Sequence, residues 1–334
     1  MPERRVNVLF TSAGRRVELL RLFRRGYEAL GISGSVVAVD VDPLAPALKV
    51  ADRYYLVPRL DDPEFLAVLV QVCEREEIDV IFPLIDPDIP ILANNRTTIE
   101  STGARIAVVS PAAASITADK WLTYKFFRSL NVPTPMSWQP REIDEGTTVY
   151  PLFIKPRFGS AAKRTFKVHN ARELAFFVEY VPDPIIQEYL SGDEVTNDVF
   201  CDLEGEVLAV VSRQRLETRW GEVAKGVTVY NSVITDHCVK IAKGLPAVAA
   251  VTVQCIEKNG RYFFTEINAR LGGGVPLSVA AGVDYPALIL ARAAGLKLGT
   301  TQVGTYQTGL YMTRFDDSFF VSEAEHADIS SCRL

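Results

Sequence analysis

Short apolar runs alternate with longer stretches of helical periodicity along the first hundred residues. Residues 6–10 form a strand-type run, followed by the tight Thr11-Ser12-Ala13-Gly14 and an amphipathic helix over 17–30. Residues 35–41 predict a second buried strand ending at Asp40 and Asp42, 63–77 a helix, and 80–84 a third strand ending at Asp86. A helix over 89–101 and a fourth strand over 106–109 complete the set. Strands alternating with helices at this spacing predict a parallel sheet in an α/β domain.

A second unit begins near Ser115, where Asp119 can cap a helix running through Lys120, Trp121 and Tyr124 to Leu130. Pro133 and Pro135 stop it. A strand over 150–155 ends in Lys155-Pro156-Arg157, and the small, basic stretch 158–165 leads to a strand over 166–168. Such a loop can lie over phosphates and donate backbone N–H groups to them. A helix over 171–180, a strand over 185–190 and a strand over 195–200 follow, with 207–213 as the antiparallel neighbour of the last. Arg213, Arg215, Arg219 and Lys225 then cluster beside Trp220, a density of cations that suits an anionic substrate or a solvated face. A helix is expected over 237–250, another over 277–281, a strand over 306–314, and a frayed tail after it.

The apolar alternation is broken most sharply in the stretch 262–270. Glu266, Asn268 and Arg270 are two residues apart, so on a strand they leave one face. A carboxylate, an amide oxygen and a guanidinium side by side suit a hard cation held against phosphate, the alternative being a half-solvated strand. Residues 251–256 read as the partner strand and add Gln254. Parity decides whether Gln254 joins the set: a two-residue Asn259-Gly260 turn puts it on the far face, whereas a three-residue loop of Lys258, Asn259 and Gly260 returns it to the face of Glu266. We expect the three-residue loop and a shared face. Gly272, Gly273 and Gly274 then enter a helix, where free N–H groups would meet an anion; with Arg213 or Arg215 they are the expected acceptor site.

Composition narrows the functional classes. The chain has 334 residues, room for two or three packed units, and a formal net charge of -5 with no basic run, which argues against nucleic acid and anionic membrane as partners. No apolar stretch approaches the roughly 20 residues that span a bilayer, so a cytoplasmic location is expected. The five cysteines are scattered and there are only three histidines, against a zinc site or a disulfide framework. Thr11 to Gly14 contains one glycine where a dinucleotide fingerprint needs three. Ser12, Arg15, Asp40 and Asp86 still stand at strand ends where α/β sheets bind ligands, with turn and capping duties as the alternative.

In this order the elements resemble the ATP-grasp superfamily, and within it the branch of the carbamoyl phosphate synthetase large subunit, over nearly the whole chain from Thr11-Ser12-Ala13-Gly14-Arg15-Arg16 to Arg314. The resemblance implies an N-terminal α/β pre-ATP-grasp domain (1–112), a small lobe (113–187) and an α+β C-terminal lobe carrying the metal hairpin (188–334). It implies that Lys120 and Lys155 contact ATP phosphates, together with Ser160 of the loop. Gln187-Glu188-Tyr189-Leu190 looks like the hinge that reads adenine, and Glu194 like the carboxylate on the ribose. Gln254, Glu266 and Asn268 look like the magnesium set, with manganese as a substitute, and Arg270 like the arginine that steadies the transferred phosphoryl group. Arg164 stands where the branch tends to carry a second glycine, and Ala162 where a serine is common, so loop closure is open to change.

The activity so implied is an ADP-forming ligase that activates a carboxylate as an acyl phosphate for attack by an amine or thiol. Such chemistry rests on positioning and electrostatics and needs no side-chain nucleophile. A phosphotransferase that stops at a phosphorylated product and a nucleotide-binding protein without turnover are the alternatives; the complete Gln254, Glu266, Asn268 set argues against the latter. The expected partners are small-molecule carboxylates and amines, with a homodimer as a compatible assembly.

Overall fold

The computed structural model describes residues 5–144, 148–159, 163–219, 221–296 and 303–331. The N-terminal unit is a parallel sheet of β1 (Val8–Thr11), β2 (Val36–Asp40), β3 (Arg53–Leu56), β4 (Val80–Pro83) and β5 (Arg105–Ile106) in the order β3-β2-β1-β4-β5. Every residue of β1, β2 and β4 is buried, as strands covered on both faces require. The covering helices are α1 (Val17–Leu30), α2 (Phe65–Arg75), α3 (Asp88–Asn94) and α4 (Arg96–Glu100). β1 pairs with β2 on one side and β4 on the other, so the strand order reverses at the carboxyl ends of β1 and β4. That crevice is where open α/β sheets take ligands.

Helices α5 (Pro111–Ala118) and α6 (Lys120–Ser129) lead to a small antiparallel sheet of β6 (Ser137–Trp138), β7 (Leu152–Pro156), β8 (Phe166–Val168) and β9 (Pro184–Glu188), ordered β6-β9-β7-β8 and backed by α7 (Ala171–Tyr180). Its core, around Ile154, Leu174 and Ile186, is separate from the rest. A larger antiparallel sheet follows: β10 (Glu194–Cys201), β11 (Val207–Arg219), β12 (Glu222–Val229), then α8 (Ser232–Gly244), β13 (Ala250–Lys258), β14 (Arg261–Asn268), α9 (Val275–Ala280), α10 (Tyr285–Ala293), β15 (Tyr311–Thr313) and α11 (Glu323–Ser331). Its strand order is β14-β13-β10-β11-β12-β15.

Two large apolar clusters each join the N-terminal sheet to this sheet. One holds Leu9, Ile81, Phe127 and Phe264, the other Phe10, Phe82, Phe200 and Tyr285. Helix α10 crosses α1 so closely that a Cβ on Gly26 would lie 3.1 Å from Leu290 and 3.2 Å from the Ala287 backbone. The parallel sheet is therefore continuous in packing with the large one, and the crevice of the first opens onto the strands of the second.

Several elements differ from the sequence expectation. The helix expected over 237–250 is α8, shifted to Ser232–Gly244, because the Asn231 side chain accepts the N–H groups of Val233 and Ile234 and caps it early. The helix expected over 89–101 is two helices, and only Tyr311–Thr313 of 306–314 is a strand. The cationic stretch after Arg213 is a long hairpin, β11 and β12, whose tip has polar residues on both faces and so hides its period. Part of the expected tail is helical in α11, and α10 was unforeseen although Asp284 followed by Pro286 is a start signal, the Asp284 side chain accepting from Ala287 N–H.

Candidate active site

The hairpin β13–β14 settles the parity question by an unexpected route. Lys258 pairs with Arg261, so the turn is the two-residue Asn259-Gly260, with φ of 54° and 75° respectively, and the three-residue loop is incorrect. An Asn-Gly pair tolerates two positive φ angles and gives a turn whose twist matches the strands. By itself this would send Gln254 to the far face. A bulge intervenes: Cys255 lies opposite Phe264 and Gln254 opposite Glu266, with Thr265 as the extra residue. Thr252 then lies opposite Asn268. Residues directly opposite share a face, so Gln254, Glu266 and Asn268 do stand together.

Two lysines approach this face, one from helix α6 and one from the small sheet. Lys120 opens α6, which Asp119 caps by accepting the N–H groups of Trp121 and Leu122. Asp119 is itself gripped by Arg157, whose Nε and Nη2 donate at 2.7 and 2.6 Å. The Lys120 ammonium donates to the Gly159 carbonyl at 2.6 Å and lies 3.9 Å from Glu266 Oε1. Lys155, at the end of β7, is only 7 % exposed. Burial lowers its pKa from 10.5 to about 8 against the attraction of Glu266, with Lys120 adding to the depression and Glu194 opposing it. The attraction of Glu266 and Glu194 does not make up for burial beside a second ammonium, so Lys155 is short of negative charge.

The 187–194 stretch is more internally engaged than expected. Gln187 is buried and donates Nε2 to Ser137 Oγ at 2.7 Å, bracing β9 to β6. Glu188 accepts from Lys258 at 2.9 Å, which ties the small sheet to the hairpin end. Lys167 sits 4.2 Å over the ring of Tyr189, Leu190 is buried, and Glu194 accepts from Arg215 Nη1 at 2.6 Å. Ser160, with Ala161 and Ala162, lies outside the described residues.

Below the hairpin face is a cavity of about 260 Å³. It brings together Gln254, Asn268 and Arg270 from the hairpin, Arg213 and Arg215 from β11, Gly272 to Gly274, and Arg16 and Asp86 from the N-terminal crevice. Arg270 donates Nη2 to Asp86 Oδ2 at 2.8 Å, which pins the hairpin end to the loop after β4. Among the described residues, the buried Asp86 Oδ1 and Arg270 Nε have no hydrogen-bond partner.

Arg213 is not a free cation. It is 2 % exposed and donates Nε and Nη2 to Asp198, both at 2.8 Å, while Ser278 Oγ donates to the same carboxylate at 2.6 Å. It lines the cavity with its charge already balanced, and its visible task is to hold the glycine turn: a Cβ on Gly274 would lie 2.0 Å from Nη1. A Cβ on Gly273 would lie 2.5 Å from Arg16 Nη1. Since α9 has only six residues, these close approaches, more than its N-terminus, account for the glycines.

Arg16 and Glu222 are the residues sequence reasoning passed over. Arg16 Nη2 lies 3.3 Å from Glu222 Oε1. Burial lowers the Arg16 pKa to about 10, Glu222 opposing the shift and Arg270 adding to it. The signal was present in part, since Arg16 follows the turn after the first strand and Asp86 ends the third predicted one. Asp40, weighed equally as ligand or turn residue, accepts the N–H groups of Gly14 and Asp42 and serves the turn.

This geometry has counterparts. Residues 117–274 match the ATP-grasp domain family and residues 8–108 the PylC-like N-terminal domain. The carbamoyl phosphate synthase large chain of Thermoplasma acidophilum is 21% identical over 308 residues, 84% of this chain and 28% of that protein, so the chain spans under a third of its length. Among solved structures, L-amino acid ligase from Bacillus licheniformis has a TM-score of 0.67 at 17% identity, covering 87% of this chain and 74% of that one. The biotin carboxylase domain dimer of Hydrogenobacter thermophilus 2-oxoglutarate carboxylase, solved with MgADP and bicarbonate, has a TM-score of 0.70 at 19% identity, covering 91% and 73%. N5-carboxyaminoimidazole synthetase from Staphylococcus aureus, solved with ADP, has 0.68 at 16%, covering 91% and 80%. The structural likenesses show the fold, an N-terminal parallel-sheet domain followed by an ATP-grasp fold, and residues 117–274 carry the match to the ATP-grasp domain family.

Proposed function

We propose that this chain is an ADP-forming ligase that uses ATP to join a carboxylic acid to an amine or thiol. The observation that carries the reading is the convergence of Gln254, Glu266 and Asn268 on one hairpin face with Lys120 and the buried Lys155 opposite. One carboxylate between two amide oxygens fits magnesium, which takes one or two protein carboxylates and completes its shell with phosphate oxygens and water. Manganese would fit the same oxygens. Of the three solved structures named above, two are complexes with ADP, one of them with magnesium.

In this reading Gln254, Glu266 and Asn268 would hold the metal, which when bound would supply positive charge against the phosphates. Lys155 and Lys120, with Ser160 as a further proposed contact, hold the phosphates, and the two lysines supply the positive charge that the transferring group requires. The backbone around Glu188 to Leu190 and the buried Gln187 border the base, and Glu194, oriented by Arg215, meets the ribose. Arg270, fixed by Asp86, faces the substrate carboxylate in the cavity. A carboxylate oxygen attacks the γ-phosphorus and ADP departs; the amine then attacks the acyl carbon, phosphate leaves with that oxygen, and the amine proton passes to solvent. Arg213, Arg215 and Gly273 line the acceptor chamber, Arg213 as a positioning residue. The divisions 1–112, 113–187 and 188–334 belong to the same proposal, as does a homodimer, the state of the Hydrogenobacter biotin carboxylase domain.

The test is an ADP-release screen of carboxylates crossed with amines, with mass analysis of products. A condensed product formed in step with ADP is the expected result. Release of ADP with only a phosphorylated product would refute the ligase assignment.

A further inference from the structure

A second cavity, about 460 Å³, lies beyond the first and shares Arg16, Glu222, Val223, Gly272 and Gly273 with it. The shared wall is an ionic knot. Arg16 and Arg314 hold the two oxygens of Glu222 at 3.3 and 3.1 Å, and Arg314 also donates to the Gly273 carbonyl. The two chambers differ in character. The inner one is lined by arginines, amides and hydroxyls, the outer one by Val17, Leu19, Pro276, Met312, Phe315 and Phe319 among its walls. The outer chamber is also lined by Arg15, Arg16, Arg21, Arg219 and Arg314 against Glu18, Glu222, Asp316 and Asp317, close to balance, with Arg219 paired to Asp316 at 3.2 Å and Arg16 and Arg314 sharing Glu222. Its aromatic rim is open: Phe315 is 84 % and Phe319 42 % exposed. Water at an apolar rim is what a ligand displaces, and the volume lies within the roughly 300–1,000 Å³ usual for small-molecule sites.

We propose that the outer chamber is the specificity subsite for the acid substrate, and that this substrate is a carboxylic acid carrying a bulky apolar or aromatic group. The carboxylate lies in the inner chamber at Arg270, the chain passes the Arg16–Glu222–Arg314 knot, and the apolar group fills the outer chamber. The inference deepens the ligase reading and rests on it for the placement of the carboxylate. The walls come from both ends of the chain, Val17 and Leu19 from α1 and Met312 to Phe319 from the segment at β15, so the N-terminal unit takes part in selecting the substrate.

The experiment measures binding and turnover separately. Acetate, butyrate, 4-phenylbutyrate and 6-phenylhexanoate are titrated into the full chain with magnesium and a non-hydrolysable ATP analogue, and the same acids are tested for ADP release with ATP and a set of amines. Burying a phenyl group should tighten Kd at least about tenfold over butyrate. Met312→Trp, which fills the chamber, and Phe319→Ala, which opens the rim on a segment without regular structure, should each remove most of that gain while leaving acetate binding unchanged. Equal affinity across the series, no binding by any of the acids, or an aromatic preference that both variants retain would overturn the subsite. A preference lost in the variants, but with no ADP released by any acid and amine, would leave the subsite standing and count against the ligase reading instead.

Discussion

Lys155 offers a prediction whose two halves pull apart stability and function. Its pKa falls from 10.5 to about 8, chiefly by burial. A shift of about 2.5 units corresponds to roughly 3 kcal/mol by which folding disfavours the charged form. At pH 7 the group is charged in both the folded and the unfolded chain, so the folded state bears that penalty in full. Lys155→Met keeps the length of the side chain and removes the charge. It forfeits the contact of the ammonium with the Phe153 ring, 6.0 Å away and worth about 0.5–1 kcal/mol. The variant should therefore be more stable than the parent by about 2 kcal/mol at pH 7, measured by urea unfolding without nucleotide. As the pH rises from about 8 toward 10.5 the parent's lysine discharges first in the folded state, so the parent gains stability and the difference shrinks toward zero. Binding of magnesium ATP should weaken at least about a hundredfold in the same variant, a stability gained at the cost of function. A variant less stable than the parent at pH 7, or a gain independent of pH, would refute the reasoning that Lys155 is an under-compensated buried cation.

Other outcomes follow from the same geometry. Glu266→Ala and Asn268→Ala should each lower ADP formation by at least about a hundredfold while circular dichroism shows the fold retained, and parent activity unchanged by metal chelation would speak against the set. Asp198→Asn leaves Arg213 buried without its counter-charge and should destabilise the chain by about 3–5 kcal/mol in urea unfolding; a loss below about 1 kcal/mol would show that the pair is not the anchor of the glycine turn. At pH 8.5 binding of magnesium ATP should take up about three quarters of a proton at Lys155, whose free-state pKa is about 8, seen by calorimetry in two buffers of different ionisation enthalpy, and identical heats in both would contradict it.

The parts legible in the sequence were those whose period is set by burial. The strands of the N-terminal sheet are covered on both faces, and their apolar runs stand out against the amphipathic helices between them. In the hairpin, the two-residue spacing of Glu266, Asn268 and Arg270 identified the face, but the loop length was misjudged because a bulge at Thr265 changes parity without any residue type that announces it. The pairing of Arg213 with Asp198 was hidden for a different reason: cross-strand partners are set by register, and the register of β10 against β11 is a property of the folded sheet. The same holds for Arg16 and Asp86, which meet β12 and β14 only because two apolar clusters seat the parallel sheet against the larger one. Local sequence carried the residues proposed to face the nucleotide, while tertiary packing built the proposed acceptor chamber.

The central claim is that a substrate carboxylate is phosphorylated by ATP and then gives up one of its oxygens. Once a turning-over acid and amine are in hand, the acid is labelled in its carboxylate with heavy oxygen and the released phosphate is examined by mass spectrometry. An acyl phosphate route transfers one carboxylate oxygen to phosphate for each ADP formed. Unlabelled phosphate accompanying full product formation would contradict the account.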